Sequence, residues 1–142
     1  MSIEGREVAA IESGLVVLAG VAEGDGPEDA DHMAAKIANL RIFERDGRMD
    51  LSVRDVGGGV LLISQFTLYA DTRKGRRPSF TAAARPEQAE PLLERLAQGL
   101  RSEGLDVQTG RFGAMMRVQL VNDGPVTIIL DSADRLIPRR QS

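Results

Sequence analysis

The sequence predicts an α+β domain in which a mixed or antiparallel, barrel-like sheet carries two packed α-helices. Three observations predict it. Strand-like runs outnumber helical ones, many neighbouring strands are joined by hairpin signals, and only two segments have apolar residues at helical spacing. The chain has 142 residues, 42% of them hydrophobic and 27% charged, which suits one domain and excludes a disordered or fibrous protein. Aromatic residues are only 4% and Trp is absent, so the core must come from Val, Leu, Ile and Ala. Burying enough surface alone is hard at this size, and a dimer is expected.

Residues 3–11 predict a short hairpin with Gly5 in its turn. Leu15–Val21 is apolar and β-branched, the pattern of a buried strand. Asp25, Gly26 and Pro27 announce a helix whose first turn holds Glu28, Asp29 and Asp31, where the helix dipole favours anions. Ala30, Met33, Ala34, Ile37 and Leu40 form its apolar stripe. Asp46-Gly47 is a hairpin signal between Arg41–Phe43 and the alternating Met49, Leu51 and Val53. Gly57-Gly58-Gly59 predicts a flexible hairpin turn, followed by Val60–Phe66 as a central strand. Residues 69–85 are a polar loop. Ala84–Gly104 is the second helix, with Leu92, Leu93, Leu96 and Leu100 on one side and Gly104 as its stop. Leu105–Gln108, Met116–Val121 and Val126–Leu130 are strands, and a tight turn at Asn122–Pro125 joins the last two.

Composition excludes several kinds of chemistry. With no Cys there are no disulfides, no thiolate nucleophile and no Cys-based zinc site. The single His32 leaves no room for a His-based triad or metal cluster, so neither a metal nor a cofactor is expected. No apolar run has membrane-spanning length and no secretory leader is evident, which makes cytoplasm the expected location. The triple glycine lacks the Lys and Ser/Thr opening a helix that a phosphate loop requires.

Two regions stand out. At Ser64-Gln65-Phe66-Thr67 an apolar strand suddenly carries polar side chains, with Ser64, Phe66 and Leu68 expected on one face and Gln65 and Thr67 on the other. With no His, Cys or nearby Lys to act as base, a hydroxyl there is a poor nucleophile. Arg73, Lys74, Arg76, Arg77 and Arg85 then crowd one loop of a chain whose net charge is −3. A basic cluster beside a strand end fits phosphate recognition, as in an RNA backbone or a nucleotide; it also fits a solvated loop.

SQFTL at 64–68 and NDGPVT at 122–127 resemble the two signature motifs of the D-aminoacyl-tRNA deacylases. RIF at 41–43, RPSF at 77–80 and QTGRFGAMM at 108–116 are similar as well, and the resemblance runs from about residue 3 to 131. It implies one deacylase domain over residues 1–131 and a basic C-terminal tail over 132–142. It implies a homodimer with its active sites at the interface. The reaction implied is hydrolysis of the ester between a D-amino acid and the 3′ end of tRNA, and of glycine mischarged on alanine tRNA. This is chiral proofreading in translation, without metal, membrane or DNA.

By the same resemblance Ser64, Gln65, Phe66 and Thr67 form the catalytic wall. Thr67 serves either as nucleophile or as a group that orients substrate beside backbone N–H donors and the tRNA 2′-hydroxyl. Gly124 and Pro125, with a cis bond between them, reach the partner's pocket and reject L substrates. Arg73, Lys74, Arg76, Arg77, Pro78, Ser79, Phe80, Met116 and Asn122 are expected to bind substrate or tRNA. Two other readings are a non-catalytic tRNA-binding module and a relative with a trans Gly-Pro bond that acts on L-aminoacyl-tRNA. Members of the family open with a further strand bearing Gln-Arg-Val, whose Arg locks the Gly-Pro motif. This sequence is expected to lack that strand or to carry a late start.

Overall fold

A computed structural model describes residues 1–137; Arg139 and Arg140 of the expected tail lie outside the described residues. Ser2–Ile3 (β1) and Arg6–Glu7 (β2) make the first hairpin. Its turn residues Glu4 and Gly5 both have positive φ, 50° and 78°, as a tight right-twisting hairpin requires. Gly14–Ala19 (β3) leads to the helix Pro27–Asn39 (α1). Pro27 opens α1, and the Asp29 carboxylate accepts the Gly26 N–H at 2.9 Å. Phe43–Arg45 (β4) and Arg48–Leu51 (β5) form the second hairpin, again over two positive-φ residues, Asp46 and Gly47.

Gly59–Ser64 (β6), the helix Pro86–Ser102 (α2) and Val107–Thr109 (β7) complete the regular elements. Gly104, at φ 86°, stops α2. Its N–H reaches Arg101 O at 2.9 Å while Leu105 N–H reaches Leu100 O at 3.4 Å, the paired bonds of a glycine-terminated helix.

The α+β class and the two packed helices stand, but the main sheet differs from the expected pattern. Its order is β3-β6-β7 and all its pairings are parallel, with antiparallel ladders confined to the two hairpins. Strand order explains this: each step crosses the sheet in the same direction through a helix. A common crossover hand then puts both helices on one face. Ala34, Ile37, Ala38, Leu96, Ala97 and Leu100 of those helices close over Val60, Leu62 and Val107. Gly99 allows the close approach, since a Cβ there would lie 2.7 Å from Ala34 Cβ. Arg95 of α2 and Asp31 of α1 seal the seam with two hydrogen bonds at 2.7 and 2.8 Å.

The opposite face is only partly covered. Leu61 and Ile63 meet Met1, Ala9 and Met116. Val16 and Leu18 of β3 are 37% and 48% exposed, so the strand expected to be buried is half-buried on one face and open on the other. The triple glycine is not a hairpin turn, because β5 and β6 do not pair. It is a crossing of two backbones. A Cβ on Gly58 would lie 2.9 Å from Gly14 Cα, and one on Gly14 would lie 1.9 Å from Gly59 O. Segments 116–121 and 126–130 lie outside any ladder; the one bridge is Ser2 with Arg117. A strand forms only where a second backbone answers its N–H and C=O groups, and within the described residues these have none. Ser132–Leu136 forms a 3-10 helix against α1, where Arg135 meets Asp29 at 3.4 Å. Among the described residues no helix is long and apolar enough to cross a membrane.

Candidate active site

The carboxyl end of central strand β6 delivers the candidate catalytic residues. The strand ends at Ser64, and Phe66–Tyr69 turns into a 3-10 helix. The two-faced alternation expected for 64–68 therefore stops at Ser64. Gln65 N–H donates to Ala19 O at 2.8 Å, so the turn hangs from the end of β3. Gly20 permits this, because a Cβ there would press on Gln65 O at 3.0 Å and Tyr69 Cδ2 at 3.2 Å. Within the turn, the Gln65 side-chain amide donates to Thr67 Oγ1. Leu68 N–H and Ala70 N–H bond Gln65 O and Thr67 O. The N–H groups of Phe66 and Thr67, first in the turn, have no acceptor among the described residues.

The polar loop folds back on this turn. Phe80 packs edge-to-face on Phe66 with ring centroids 5.1 Å apart. Asp71 and Ser79 exchange backbone bonds of 2.7 and 2.8 Å, closing the loop that carries Arg73, Lys74, Arg76, Arg77 and Pro78 at its exposed tip. The expected basic cluster is not uniform. The Asp71 carboxylate accepts from Arg73 Nε and Nη2 at 3.0 and 2.8 Å; these bonds and the Arg73 backbone N–H hold the Asp71 carboxyl below the usual carboxylate range. Sequence reasoning missed Asp71, which stands two residues before Arg73. Lys74, Arg76 and Arg77 make no ion pair among the described residues.

Tyr69, which the sequence reading did not single out, ends the turn. Its hydroxyl is pushed up, first by burial and then by the charges of Asp25, Asp131 and Asp29.

Gly124 and Pro125 are exposed and joined by a cis peptide bond, the isomer that the resemblance implies. Gly124 has φ 144°, and a Cβ there would lie 2.9 Å from Val126 Cγ2, so only glycine suits the position. Asn122 braces this turn from the inside. Its Oδ1 accepts Val126 N–H at 2.9 Å and its Nδ2 donates to Thr127 Oγ1 at 3.0 Å. Met116 packs against the cluster of Met1, Ala9, Leu61 and Ile63. Among the described residues no hydrogen bond or ion pair links 122–127 with 64–80.

His32 stands on α1 away from the turn, and among the described residues no three His, Asp or Glu side chains converge as metal ligands. The N–H groups of Gly57, Gly58 and Gly59 all bond protein carbonyls, those of Arg54, Val53 and Ser13. No anion cradle exists there.

Known proteins resemble this chain in sequence and in fold. A solved structure titled c-Myc DNA Unwinding Element Binding Protein is 39% identical with TM-score 0.84, covering 92% of this chain and 89% of that one. A probable eukaryotic D-amino acid tRNA deacylase, at 15% identity and TM-score 0.58 over 70% of this chain and 74% of that one, shares the fold. Proteins named D-aminoacyl-tRNA deacylase are similar at 57% identity in Chloroflexus aurantiacus and 60% in Halalkalibacterium halodurans. These alignments cover 99% and 93% of this chain, and 88% and 91% of those relatives. The family described as D-Tyr-tRNA(Tyr) deacylase matches residues 1–131, and with these relatives it establishes that the chain belongs to the D-aminoacyl-tRNA deacylases.

Proposed function

We propose how this chain performs the hydrolysis of D-aminoacyl-tRNA that its family membership assigns to it. The products are a free D-amino acid and tRNA. The observation that carries the reading is the partnership of Gln65 and Thr67. An amide that donates to a hydroxyl cannot take its proton, so the pairing supports Thr67 as an orienting group and not a nucleophile. An aminoacyl ester is already reactive. The site needs to position it and stabilise the oxyanion, and the open N–H groups of Phe66 and Thr67 suit that task.

The selecting element comes from a second copy of the chain. Support lies in the lack, among the described residues, of any hydrogen bond or ion pair between 122–127 and 64–80 of one chain, and in the apolar surface of Val16, Leu18, Leu120, Val121, Ile128 and Ile129 left open. A homodimer buries that surface and gives the extended segments 116–121 and 126–130 a setting in which a barrel-like sheet can close. Residues 1–131 then act as one deacylase domain. Lys74, Arg76 and Arg77 contact tRNA phosphates, with Arg73 held in place by Asp71. Pro78, Ser79 and Phe80 shape the pocket edge. D and L substrates carry the same groups, so only the direction of the side chain separates them. A backbone turn of Gly124 and Pro125 can forbid one direction, where a flexible side chain would yield.

The test is incubation with matched D-alanyl-, L-alanyl- and glycyl-tRNA. D-alanyl and glycyl esters should be cleaved and the L ester left intact. Absence of any turnover would favour a binding module instead, and equal cleavage of the L ester would overturn the selectivity. Thr67→Ala should weaken turnover moderately; a trapped acyl-Thr67 adduct would restore the nucleophile role.

A further inference from the structure

The sequence reading put Asn122 among the substrate contacts. Its carboxamide is instead engaged on both sides by its own loop. Pro125 has no N–H, so the first backbone donor after the Gly124–Pro125 turn is that of Val126, and Asn122 Oδ1 accepts it at 2.9 Å. That bond fixes the orientation of the amide, because an NH2 group cannot face an N–H donor. The remaining end, Nδ2, then donates to Thr127 Oγ1 at 3.0 Å. Asn122 thus spans the turn from the residue before Asp123 to the two residues after Pro125. The loop is also tight at its far side, where Gly124 lies so close to Val126 that a Cβ would not fit.

The surroundings give this staple its importance. Upstream, the nearest backbone anchor is Arg117, which exchanges two 2.9 Å bonds with Ser2. Downstream, the next is Leu130, packed against the helix-covered core, followed by Asp131, whose carboxylate accepts Ala133 N–H at 3.0 Å. Between them the arm has no ladder. The local geometry of the turn therefore depends on the arm's own side chains, and Asn122 supplies both of its side-chain bonds.

We propose that Asn122 is a positioning residue for stereochemical selectivity: by holding Val126 N–H and Thr127 Oγ1 it fixes the aim of the Gly124–Pro125 turn, and it does not touch substrate. This rests on the reading that the turn selects between D and L substrates. Asn122→Ala removes both bonds. Asn122→Asp keeps the acceptor for Val126 and can take the Thr127 hydroxyl as donor. Thr127→Val removes one bond.

The measurements are kcat and KM on D-alanyl- and L-alanyl-tRNA, with amide hydrogen exchange at Val126. Asn122→Ala should lower the D-over-L ratio about tenfold, mainly by raising kcat/KM for the L substrate, and Val126 should lose protection. Asn122→Asp should restore the ratio to within about threefold of the wild type, with Thr127→Val falling between the two. An unchanged ratio in Asn122→Ala overturns the proposal. So does an Asn122→Asp variant as poor as Asn122→Ala while Val126 stays protected, since that marks direct contact with substrate. If the wild-type chain cleaves both substrates at one rate, the selectivity reading itself fails and takes this proposal with it. In that case Val126 exchange still reports whether the staple exists.

Discussion

The two faces of the β3-β6-β7 sheet are built on different terms. On the helix-covered face Leu15, Val17, Val60, Leu62 and Val107 meet α1 and α2, and Ala38, Val60 and Leu100 are wholly buried. On the other face the N-terminal hairpin and Met116 cover Leu61 and Ile63 of β6, while Val16 and Leu18 of β3 stay open. Among the described residues the arm from 118 to 129 has no ladder. One face is finished by the chain alone. The other has the composition of an interior and the exposure of a surface, which in a protein of this size marks a place where another surface belongs. The residues of the proposed chemistry follow the same division. The catalytic wall grows from the strand that the finished face secures, and the selecting turn rides on the unfinished arm.

Substitutions should separate the two faces. The largest effect belongs to Gly14→Ala. The added Cβ would strike Gly59 O, and φ is 140°; a loss above about 4 kcal/mol is expected, read as failure to fold or loss of the thermal transition. Leu100→Ala empties the centre of the helix-covered core and should cost about 2–5 kcal/mol by urea unfolding. Val16→Glu with Leu18→Glu should change the unfolding free energy of the protomer by about 0.5 kcal/mol or less. The same pair should abolish association in sedimentation. An intact dimer in that variant would mean that the open face is not the interface.

Arg76→Glu with Arg77→Glu should leave the fold alone. These changes should flatten the dependence of log K for tRNA on log salt by about 2, and an unchanged slope would make this a solvated loop. The smallest effect concerns Asp29. The Gly26 N–H, then the Ser132 side chain and Arg135, hold its carboxyl below the ordinary value of 3.8. A carboxyl depressed in the folded state contributes stability above 3.8 that disappears as pH falls through its folded value. Asp29→Asn should therefore cost at most about 1 kcal/mol at neutral pH and remove the difference from wild type in strong acid, as followed by thermal melts.

The finished face is the one that was legible in the sequence. Pro27 before an apolar stripe, Gly104 after a leucine stripe and Asp46-Gly47 between short strands each act within a few residues, and each took the expected form. What failed depends on distant partners. Leu15–Val21 looks buried because its composition is that of an interior, but composition does not say whether the cover is supplied by the same chain. The triple glycine was read by its local freedom, whereas its reason is a backbone 45 residues away in sequence, at Gly14. Met116–Val121 and Val126–Leu130 have strand sequences without strand partners. Of the candidate site, the sequence marks the segments 64–68 and 122–127, while the Asp71 clamp on Arg73 and the bonds of Asn122 to Val126 and Thr127 emerge only from the folded loops.

The parallel register has a kinetic consequence. Gly14 pairs with Gly59 and Val60 with Val107, so both ladders of the main sheet join residues roughly 45 apart along the chain. Neither can form as a hairpin. The helices and the two tight turns can assemble on local contacts within microseconds, but the sheet must wait for two long loops to close. The folding rate should therefore sit with slow, topologically complex domains despite the small size. During that wait the apolar edge of β3 stays unpaired, and the chain is at its most vulnerable to aggregation before β6 has been locked in place.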